Sequence, residues 1–219
     1  MISLETLGRD IVRQENFKEP GERSRVWLHD EAFDILETHT GTKKVEAICI
    51  NFESESPACS LTSEEFANLS NLKFLQMDFT KLDGDFKGRL LKLRWLRWNG
   101  CLRIFRPTNF HLKNLVILDL SRSEVTEAWE IWNYIKIARK LKVINLTGCK
   151  SIVRTPDFSA HVTLERLILR GCSKLKEIQG LGRLELLMDL DLSECESLVR
   201  RLPNISSAYE KFKVSCSLE

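Results

Sequence analysis

The sequence contains no long apolar run. No stretch approaches the ~20 consecutive apolar residues that a helix needs to cross a bilayer. The first ten residues, MISLETLGRD, place Glu5 and Arg9 early and have no apolar core behind a basic head, which argues against a secretory signal. We therefore expect an intracellular protein that does not bind a membrane. It is expected in the cytoplasm, with the nucleus as the alternative location.

Catalytic and cofactor-binding motifs are also missing. The four histidines are scattered and share no short motif with a cysteine or a carboxylate pair. Zinc spacings, a serine elbow and a glycine-rich lysine loop for phosphates are all absent from the sequence. We predict that the chain is not an enzyme and that it holds no metal and no cofactor of its own.

The charge balance and the cysteine count narrow the class of protein further. The 33 basic and 31 acidic residues give a formal net charge of +2, so no general attraction to nucleic acid is expected. Seven cysteines are an odd number, and without an export signal they indicate free thiols in a reducing compartment.

A repeating leucine pattern fills most of the chain. It occurs in LSNLKFLQM, LLKLRWLRWNGC, LKNLVILDLSRS, ARKLKVINLTGC, HVTLERLILRGC and LELLMDLDLSEC, and its third apolar position falls at residues 75, 96, 118, 144, 167 and 190. The steps of 21, 22, 26, 23 and 23 residues are typical of leucine-rich repeats. The sequence predicts an α/β fold: a leucine-rich-repeat solenoid, or horseshoe, with a parallel β-sheet on its concave face.

Each position of the repeat has a physical reason. The L-x-L pair is predicted to lie on a short strand, where alternate side chains face opposite ways and both leucines point inward. One repeat cannot bury its own apolar face, so neighbouring repeats must stack. A shared turn position holds Cys101, Cys149, Cys172 and Cys195, which favours small buried thiols over a metal or redox site. His161 falls on an apolar repeat position and is predicted to be structural.

The first 43 residues do not follow the repeat. Leu4, Leu7, Ile11 and Val12 form a helical stripe over residues 2–15. After a break at Pro20 and Gly21, a second helix is predicted, with Asp30 as its N-cap, Phe33 and Leu36 facing inward and Gly41 as its stop.

Further elements are predicted at three places along the repeat region. The segment KVEAICINF, residues 44–52, is predicted to be the strand that opens the sheet. The 26-residue step contains Trp129, Trp132 and Ile135 at helical spacing, which favours a covering helix over an exposed aromatic site. A degraded seventh repeat is predicted from Phe212, Val214 and Cys216, and the array is expected to be truncated because no polar capping segment follows.

The concave face is the predicted binding surface for a partner protein. Its candidate residues are Gln76, Trp95, Arg97, Asp119, Asn145, Arg166, Ile168, Arg170 and Asp191. Strands ~4.8 Å apart would let Arg97 pair with Asp119, and Arg166 with Asp189. Trp95 and Arg97 are of the residue types that dominate binding hot spots. The alternative interpretation is a solvated polar face whose charges pair with one another.

A second candidate surface is basic. No acidic residue occurs between Phe86 and Leu118, whereas this stretch holds a predicted docking patch of Lys87, Arg89, Lys92 and Arg94. Interleaved aromatic residues would suit nucleic acid, but the partner expected here is an acidic protein surface, because Trp98 is a core position.

Two segments resemble a known family. LGRDIVRQENFKEPGERSRVWLHDEAFDILETHTGTKKVEAICINF, residues 7–52, is similar to the segment of plant TIR-type nucleotide-binding leucine-rich-repeat disease resistance proteins that joins the nucleotide-binding module to the repeats. Residues 119–158 resemble the repeats of that family. The resemblance implies that residues 1–43 are a winged-helix-like remnant of the nucleotide-binding module, and that residues 44–219 are a leucine-rich-repeat domain of about six to seven repeats.

The resemblance also implies a function in plant defence. In that family the repeats sense a pathogen effector and restrain the nucleotide switch, so the implied partners are an effector or the nucleotide-binding module. Neither the His nor the Asp of the family's Met-His-Asp motif is present, since Met1 falls about where that histidine would be and is followed by Ile2 and Ser3. ADP or ATP would be bound only by an upstream module. A free-standing adaptor and a truncated, non-signalling decoy remain as alternatives.

Overall fold

The repeated L-x-L pairs form the strands of one parallel sheet. The computed structural model describes residues 3–52, 59–101, 103, 106–199 and 213–215. In chain order its helices and strands are α1 Leu4–Glu15, β1 Arg25–Val26, α2 His29–Glu37, β2 Ala47–Asn51, β3 Ser60–Thr62, β4 Phe74–Asp78, β5 Lys81–Asp83, β6 Trp95–Asn99, β7 Ile117–Asp119, α3 Ile131–Ile135, β8 Val143–Asn145, β9 Arg166–Ile168, β10 Asp189–Asp191, α4 Glu196–Val199 and β11 Lys213–Ser215. Short 3-10 turns lie at Pro20–Glu22 and Leu181–Arg183.

The strand register confirms the predicted equivalence of the repeats. Nine strands are ordered β1-β2-β4-β6-β7-β8-β9-β10-β11, and β3 pairs with β5 in a separate two-stranded sheet. The third apolar positions are direct neighbours from strand to strand: Leu75, Leu96, Leu118, Ile144, Leu167, Leu190 and then Val214. The first six of them are fully buried, so one continuous apolar ladder runs through the sheet. Phe212 and Cys216 of the predicted seventh repeat lie outside the described residues.

The predicted opening strand forms, but it is not the first strand of the sheet. Arg25–Val26 pairs in parallel with Ala47 and Ile48 of β2, which places one strand ahead of it. The second helix also begins earlier than predicted, because Leu28 rather than Asp30 occupies the N-cap position. This helix buries Ala32, Ile35 and Leu36 and leaves Phe33 only half-buried.

The first helix forms as its stripe predicts, over Leu4–Glu15, and Ser3 caps it by accepting a hydrogen bond from the Thr6 N–H. Of the stripe, only Val12 is buried. Leu4, Leu7 and Ile11 are 88%, 49% and 57% exposed, so α1 carries an uncovered apolar stripe along one side.

The turn after each strand needs a left-handed residue. In each of the six repeats, the residue four positions after the third apolar position has a positive φ. This residue is a glycine at Gly100, Gly148 and Gly171, and another residue type at Phe79, Arg122 and Glu194. Glycine accepts this conformation freely, whereas side-chain-bearing residues meet a steric penalty.

The predicted structural roles of the cysteines and of His161 are confirmed. In the described part of the chain, six cysteines are thiols rather than disulfides, and the Sγ atoms of Cys149, Cys172 and Cys195 donate to carbonyls of the preceding repeat at 3.2, 3.2 and 3.0 Å. Burial raises the pKa of Cys149 to about 12, so this thiol stays protonated and unreactive. His161 is buried with 2% of its surface exposed.

The long repeat is covered by a helix as predicted. The helix α3, Ile131–Ile135, buries Trp132 and Ile135, and the preceding Trp129 is buried with them. The interpretation as an exposed aromatic site is therefore wrong. Within the described part of the chain, no helix has the length and apolar character needed to span a membrane.

Candidate functional site: the open face of the sheet

Among the described residues one face of the sheet is largely open, and the predicted binding residues lie on it; at its β4 end, Gln76 shares a cavity with Leu4, Arg9 and Val12 of α1. We call this the open face; it carries the side chains that alternate with the buried ladder residues in strands β4 to β10. The register places six of the predicted residues in one column, namely Gln76, Arg97, Asp119, Asn145, Ile168 and Asp191. Trp95 and Arg166 lie in the adjacent column, and Arg170 follows β9 in the chain. The sequence pattern therefore predicted which residues share this face, and their role in binding stays a prediction.

The first column of the open face is apolar over four strands. Phe74, Trp95, Ile117 and Val143 are direct register neighbours. The rings of Phe74 and Trp95 meet edge-on with centroids 4.9 Å apart, and Trp27 meets Phe74 in the same way at 5.8 Å. Trp95 remains 42% exposed. An accessible indole, held in place by a neighbouring ring, is a suitable anchor for an apolar side chain of a partner.

A cavity of about 400 Å³ opens beside this column. We call it the central pocket, and it is lined by Asp78, Phe79, Arg97, Asn99, Asp119, Ser121, Arg122, Asn145 and Thr147. The side chains of Asp119 and Asn145 are held by the residues two positions on: the N–H and hydroxyl of Ser121 donate to Asp119, and those of Thr147 donate to Asn145.

The predicted ion pair between Arg97 and Asp119 does not form. Among the described residues Arg97 has no ion partner within 4.0 Å, and its buried Nε has no hydrogen-bond partner. Asp119 instead accepts two hydrogen bonds from Ser121 on one oxygen, and the charge of Arg97 acts on the carboxylate of Asp78.

Asp78 lies beside Arg97 in an environment that disfavours its charge. Desolvation raises the pKa of Asp78, although the positive charge of Arg97 and hydrogen bonds from Gln76 and Asn99 act in the opposite direction. Its Oδ1 atom and the Oδ1 of Asn99 are buried without partners. Such unpaired buried acceptors are uncommon in folded proteins and call for an explanation.

The far end of the open face is already paired. Arg166 donates from Nε and Nη2 to Asp189 at 2.9 and 2.7 Å, which confirms this predicted pair. Arg170 donates in the same way to Glu194 at 2.9 and 2.7 Å. Both arginines among the predicted binding residues at this end therefore already pair with acidic residues of the next repeat.

The basic docking patch lies near the N-terminal ends of the strands and not on the open face. Lys87, Lys92 and Arg94 are exposed, and Arg89 is half-buried with Nη1 3.5 Å from the Ala67 carbonyl. Lys92 donates to the side-chain oxygen of Asn71 at 2.6 Å. None of the four forms an ion pair with another described residue, so their charges remain available to a partner.

Sequence reasoning missed three residues of the open face. Phe79 and Arg122 line the central pocket from the left-handed turn position, and Trp27 extends the aromatic column. Aligning the repeats on their glycines would have drawn attention to the first two, because they stand where Gly100 and Gly148 stand in other repeats. No local signal distinguishes Trp27.

The sequence is similar to several plant disease resistance proteins. It is 33% identical to the disease resistance protein RPS6 of Arabidopsis thaliana over 185 residues, which cover 80% of this chain and 16% of that protein. It is 32% identical to the TMV resistance protein N of Nicotiana glutinosa over 201 residues, 90% of this chain and 17% of the relative.

These alignments cover most of the chain but little of each relative. A third relative, the disease resistance protein RPP2B of Arabidopsis thaliana, is 31% identical over 78% of this chain and 15% of its own length. No family model matches the sequence. The chain thus spans about one sixth of the length of the relatives it matches. It belongs to the TIR-type nucleotide-binding leucine-rich-repeat family of plant disease resistance proteins.

Proposed function

We propose that this chain is the protein-recognition module of an intracellular plant immune receptor, acting in the cytoplasm or nucleus. It senses a pathogen effector through the open face of the sheet and helps to restrain a nucleotide switch elsewhere in the receptor. The proposal assigns it no catalytic step and no cofactor. It also takes the repeats to coil as a leucine-rich-repeat horseshoe with the open face on its concave side, the surface that such solenoids use for binding.

The observation that carries this proposal is the combination of Trp95 and Arg97 on the open face. An exposed indole and an arginine without an ion partner among the described residues lie two positions apart on β6. Tryptophan and arginine are the residue types most enriched in binding hot spots. Membership of a disease resistance family supports the immune context in which this surface would act.

Complementation of a split luciferase in leaf cells tests the proposal. The wild-type chain is paired with a panel of secreted pathogen proteins and compared with a Trp95→Ala/Arg97→Ala variant. The control variant, Lys150→Ala/Arg183→Ala, changes exposed residues outside the open face. We expect at least one pathogen protein whose signal survives in the control and is lost in the open-face variant.

Partners that bind both variants equally would contradict recognition by the open face. A plant protein as the partner that depends on the open face would instead favour the free-standing adaptor. Absence of any partner dependent on the open face, in a chain that folds normally, would favour the non-signalling decoy.

Two observations favour a second role, docking onto the nucleotide-binding module. The basic docking patch has no ion partners among the described residues, and α1 carries an uncovered stripe of Leu4, Leu7 and Ile11. We propose that the patch contacts an acidic surface of that module and that the stripe packs against it. This contact would supply the restraint on the switch.

Co-precipitation with the nucleotide-binding module of a TIR-type relative tests this role. Reversing Arg89, Lys92 and Arg94 to Glu should reduce recovery, and wild-type recovery should fall with rising salt because the contact is electrostatic. Reversing Lys174, Lys176 and Arg183 makes the same charge change elsewhere and should have little effect. Equal recovery of both variants at low and high salt would rule out the patch.

A further inference from the structure

The central pocket is built from residues that the repeat does not require. Phe79 and Arg122 adopt positive φ angles of 53° and 57° at the turn position where other repeats use glycine. A side chain in this conformation costs free energy relative to glycine, and backbone strain of this kind clusters at binding sites. Both residues line the same pocket.

The hydrogen-bonding capacity of the pocket is incomplete. The Oδ1 atoms of Asp78 and Asn99 and the Nε of Arg97 are buried without partners. They amount to two acceptors and one donor, carried by neighbouring strands in direct register, since Asp78 pairs with Asn99. A ligand that lets these side chains turn toward it and form hydrogen bonds recovers the free energy lost to unpaired burial.

The charges of the pocket select a neutral ligand. The carboxylates of Asp78 and Asp119 balance the guanidinium groups of Arg97 and Arg122, so the lining has no formal net charge. An added carboxylate would face two acidic residues, and an added ammonium would face two arginines. A carboxamide is neutral and offers both an NH₂ donor group and a carbonyl acceptor, which matches the unpaired atoms.

The neighbouring column supplies the second contact. Trp95 and Arg97 lie two residues apart on one strand, so their side chains leave the open face ~6.6 Å apart. An extended partner segment that runs along β6 spaces its own alternate side chains by the same distance. The partner residue two positions from the Asn or Gln therefore reaches the exposed indole of Trp95.

We infer that the central pocket binds the carboxamide of an asparagine or glutamine in an extended protein segment of the form apolar–x–Asn/Gln, with the apolar side chain on Trp95. The inference rests on the proposed function and names the chemistry of its partner. The NH₂ group donates to Asp78 and Asn99, and the carbonyl oxygen accepts from the Nε–H of Arg97.

Peptide selection on the full chain tests the inference. A phage-displayed library of random dodecapeptides is selected on the wild-type chain and counter-selected on an Arg97→Lys variant, which keeps the charge and loses the planar guanidinium donors. We expect enriched peptides to carry Asn or Gln two positions from a large apolar residue. Synthetic versions should bind at least tenfold more weakly to Arg97→Lys and to Trp95→Ala, and replacing the peptide Gln by Glu should weaken binding equally.

Arg183→Lys is the matched control, because Arg183 is exposed and lies outside the open face; it should change affinity less than twofold. Enrichment of charged residues in place of the amide, or equal effects of the Arg97 and Arg183 variants, would overturn the inference. Failure to enrich any peptide that distinguishes the wild type from Arg97→Lys would overturn it too. Circular dichroism and melting curves confirm that each variant is folded.

The outcomes separate the inference from the proposed function. Peptides that need Trp95 but not Arg97 overturn the carboxamide pocket and leave recognition by the open face standing. Peptides that bind with no dependence on any open-face residue contradict both.

Discussion

The two ends of the open face treat their arginines in opposite ways. Around β9 and β10, Arg166 pairs with Asp189 and Arg170 with Glu194, each at 2.7 Å. Around β6, Arg97 has no ion partner among the described residues. One end of the sheet therefore pairs its own charges, and the other has an arginine without an ion partner beside an exposed tryptophan.

The two aspartates also differ in what they bind. Asp189 has no hydroxyl residue two positions on, and its Oδ2 atom accepts two hydrogen bonds from the guanidinium of Arg166. Asp119 is followed by Ser121, whose N–H and hydroxyl occupy one of its oxygens. Direct register between an arginine and an aspartate is therefore not enough to form an ion pair.

The largest effect is expected from substitutions of buried ladder residues, which test whether the two ends share one core. Leu118→Ala near the open end and Leu167→Ala near the paired end remove fully buried ladder residues. Each should lower the free energy of unfolding by about 2–5 kcal/mol, because it leaves a cavity in a close-packed interior. Urea denaturation measures the loss.

Ile117→Ala is the control for the ladder, since this neighbour of Leu118 lies half-buried on the open face. It should cost clearly less than Leu118→Ala. A much smaller loss for Leu167→Ala than for Leu118→Ala would show that the two ends are not supported by one continuous core, and the comparison would then be between two different structures.

The turns give the next largest effect. A Cβ added at Gly100 would lie 2.3 Å from the Phe79 ring, whereas one at Gly148 meets nothing nearer than 3.6 Å, and both glycines have positive φ. Gly148→Ala should cost about 1–2 kcal/mol from backbone strain alone. Gly100→Ala should cost about 2–4 kcal/mol, because overpacking against Phe79 is added.

Thermal unfolding measures both glycine variants, and the double variant Gly100→Ala/Phe79→Ala separates the two causes. Removal of the ring should bring the cost of Gly100→Ala close to that of Gly148→Ala. If the cost of Gly100→Ala is unchanged in the Phe79→Ala background, then the ring does not form this wall of the central pocket.

Much of the fold could be predicted from the sequence because one pattern repeats six times. The repeat spacing predicts which residues form the buried ladder. The alternation of side chains along each strand then predicts which residues form the columns of the open face. The helix α1 was also predictable from its stripe, but the exposure of Leu4, Leu7 and Ile11 was not, because a periodic pattern reveals a face and not what covers it.

The missed features depend on contacts between distant residues. The strand Arg25–Val26 is only two residues long and has no alternation to recognise; it exists because β2 offers an edge to pair with. The central pocket depends on the side chains of Phe79 and Arg122 folding over neighbouring turns. Neither the unpaired state of Arg97 nor the unpaired oxygens of Asp78 and Asn99 can be read from spacing.

A smaller effect concerns one core position that differs between the two ends. The first apolar position of the repeat is Leu112 near the open end and His161 near the paired end, and both are buried. Desolvation lowers the pKa of His161, although a hydrogen bond with the backbone of Ala138 and the charge of Asp157 oppose this. The unfolded chain therefore takes up a proton at a higher pH than the folded chain does.

His161→Leu should consequently remove part of the pH dependence of stability. In the wild type, the contribution of His161 to stability is fully present above its unfolded pKa of about 6.5 and is lost as the pH falls below it. Urea midpoints at pH 7.5 and 5.5 should differ more in the wild type than in the variant. An equal difference in both would mean that other groups carry the pH dependence. Leu112→Ala, which has no titratable group, serves as the destabilised control.

The smallest expected effect bears most directly on the difference between the two ends. Asp189→Asn removes the carboxylate from Arg166, whose side chain is 55% exposed, so the free energy of unfolding should fall by less than about 1 kcal/mol. The loss should shrink at high salt because the pair is screened. A double-mutant cycle with Arg166→Ala, measured by urea denaturation at low and high salt, isolates the pair.

A coupling energy well above about 1 kcal/mol would mean that the pair helps to hold the sheet together. A coupling within the bound would mean that Asp189 chiefly occupies an arginine that would otherwise be open to a partner. In that case Asp189→Asn creates at the paired end the condition that Arg97 already has at the open end.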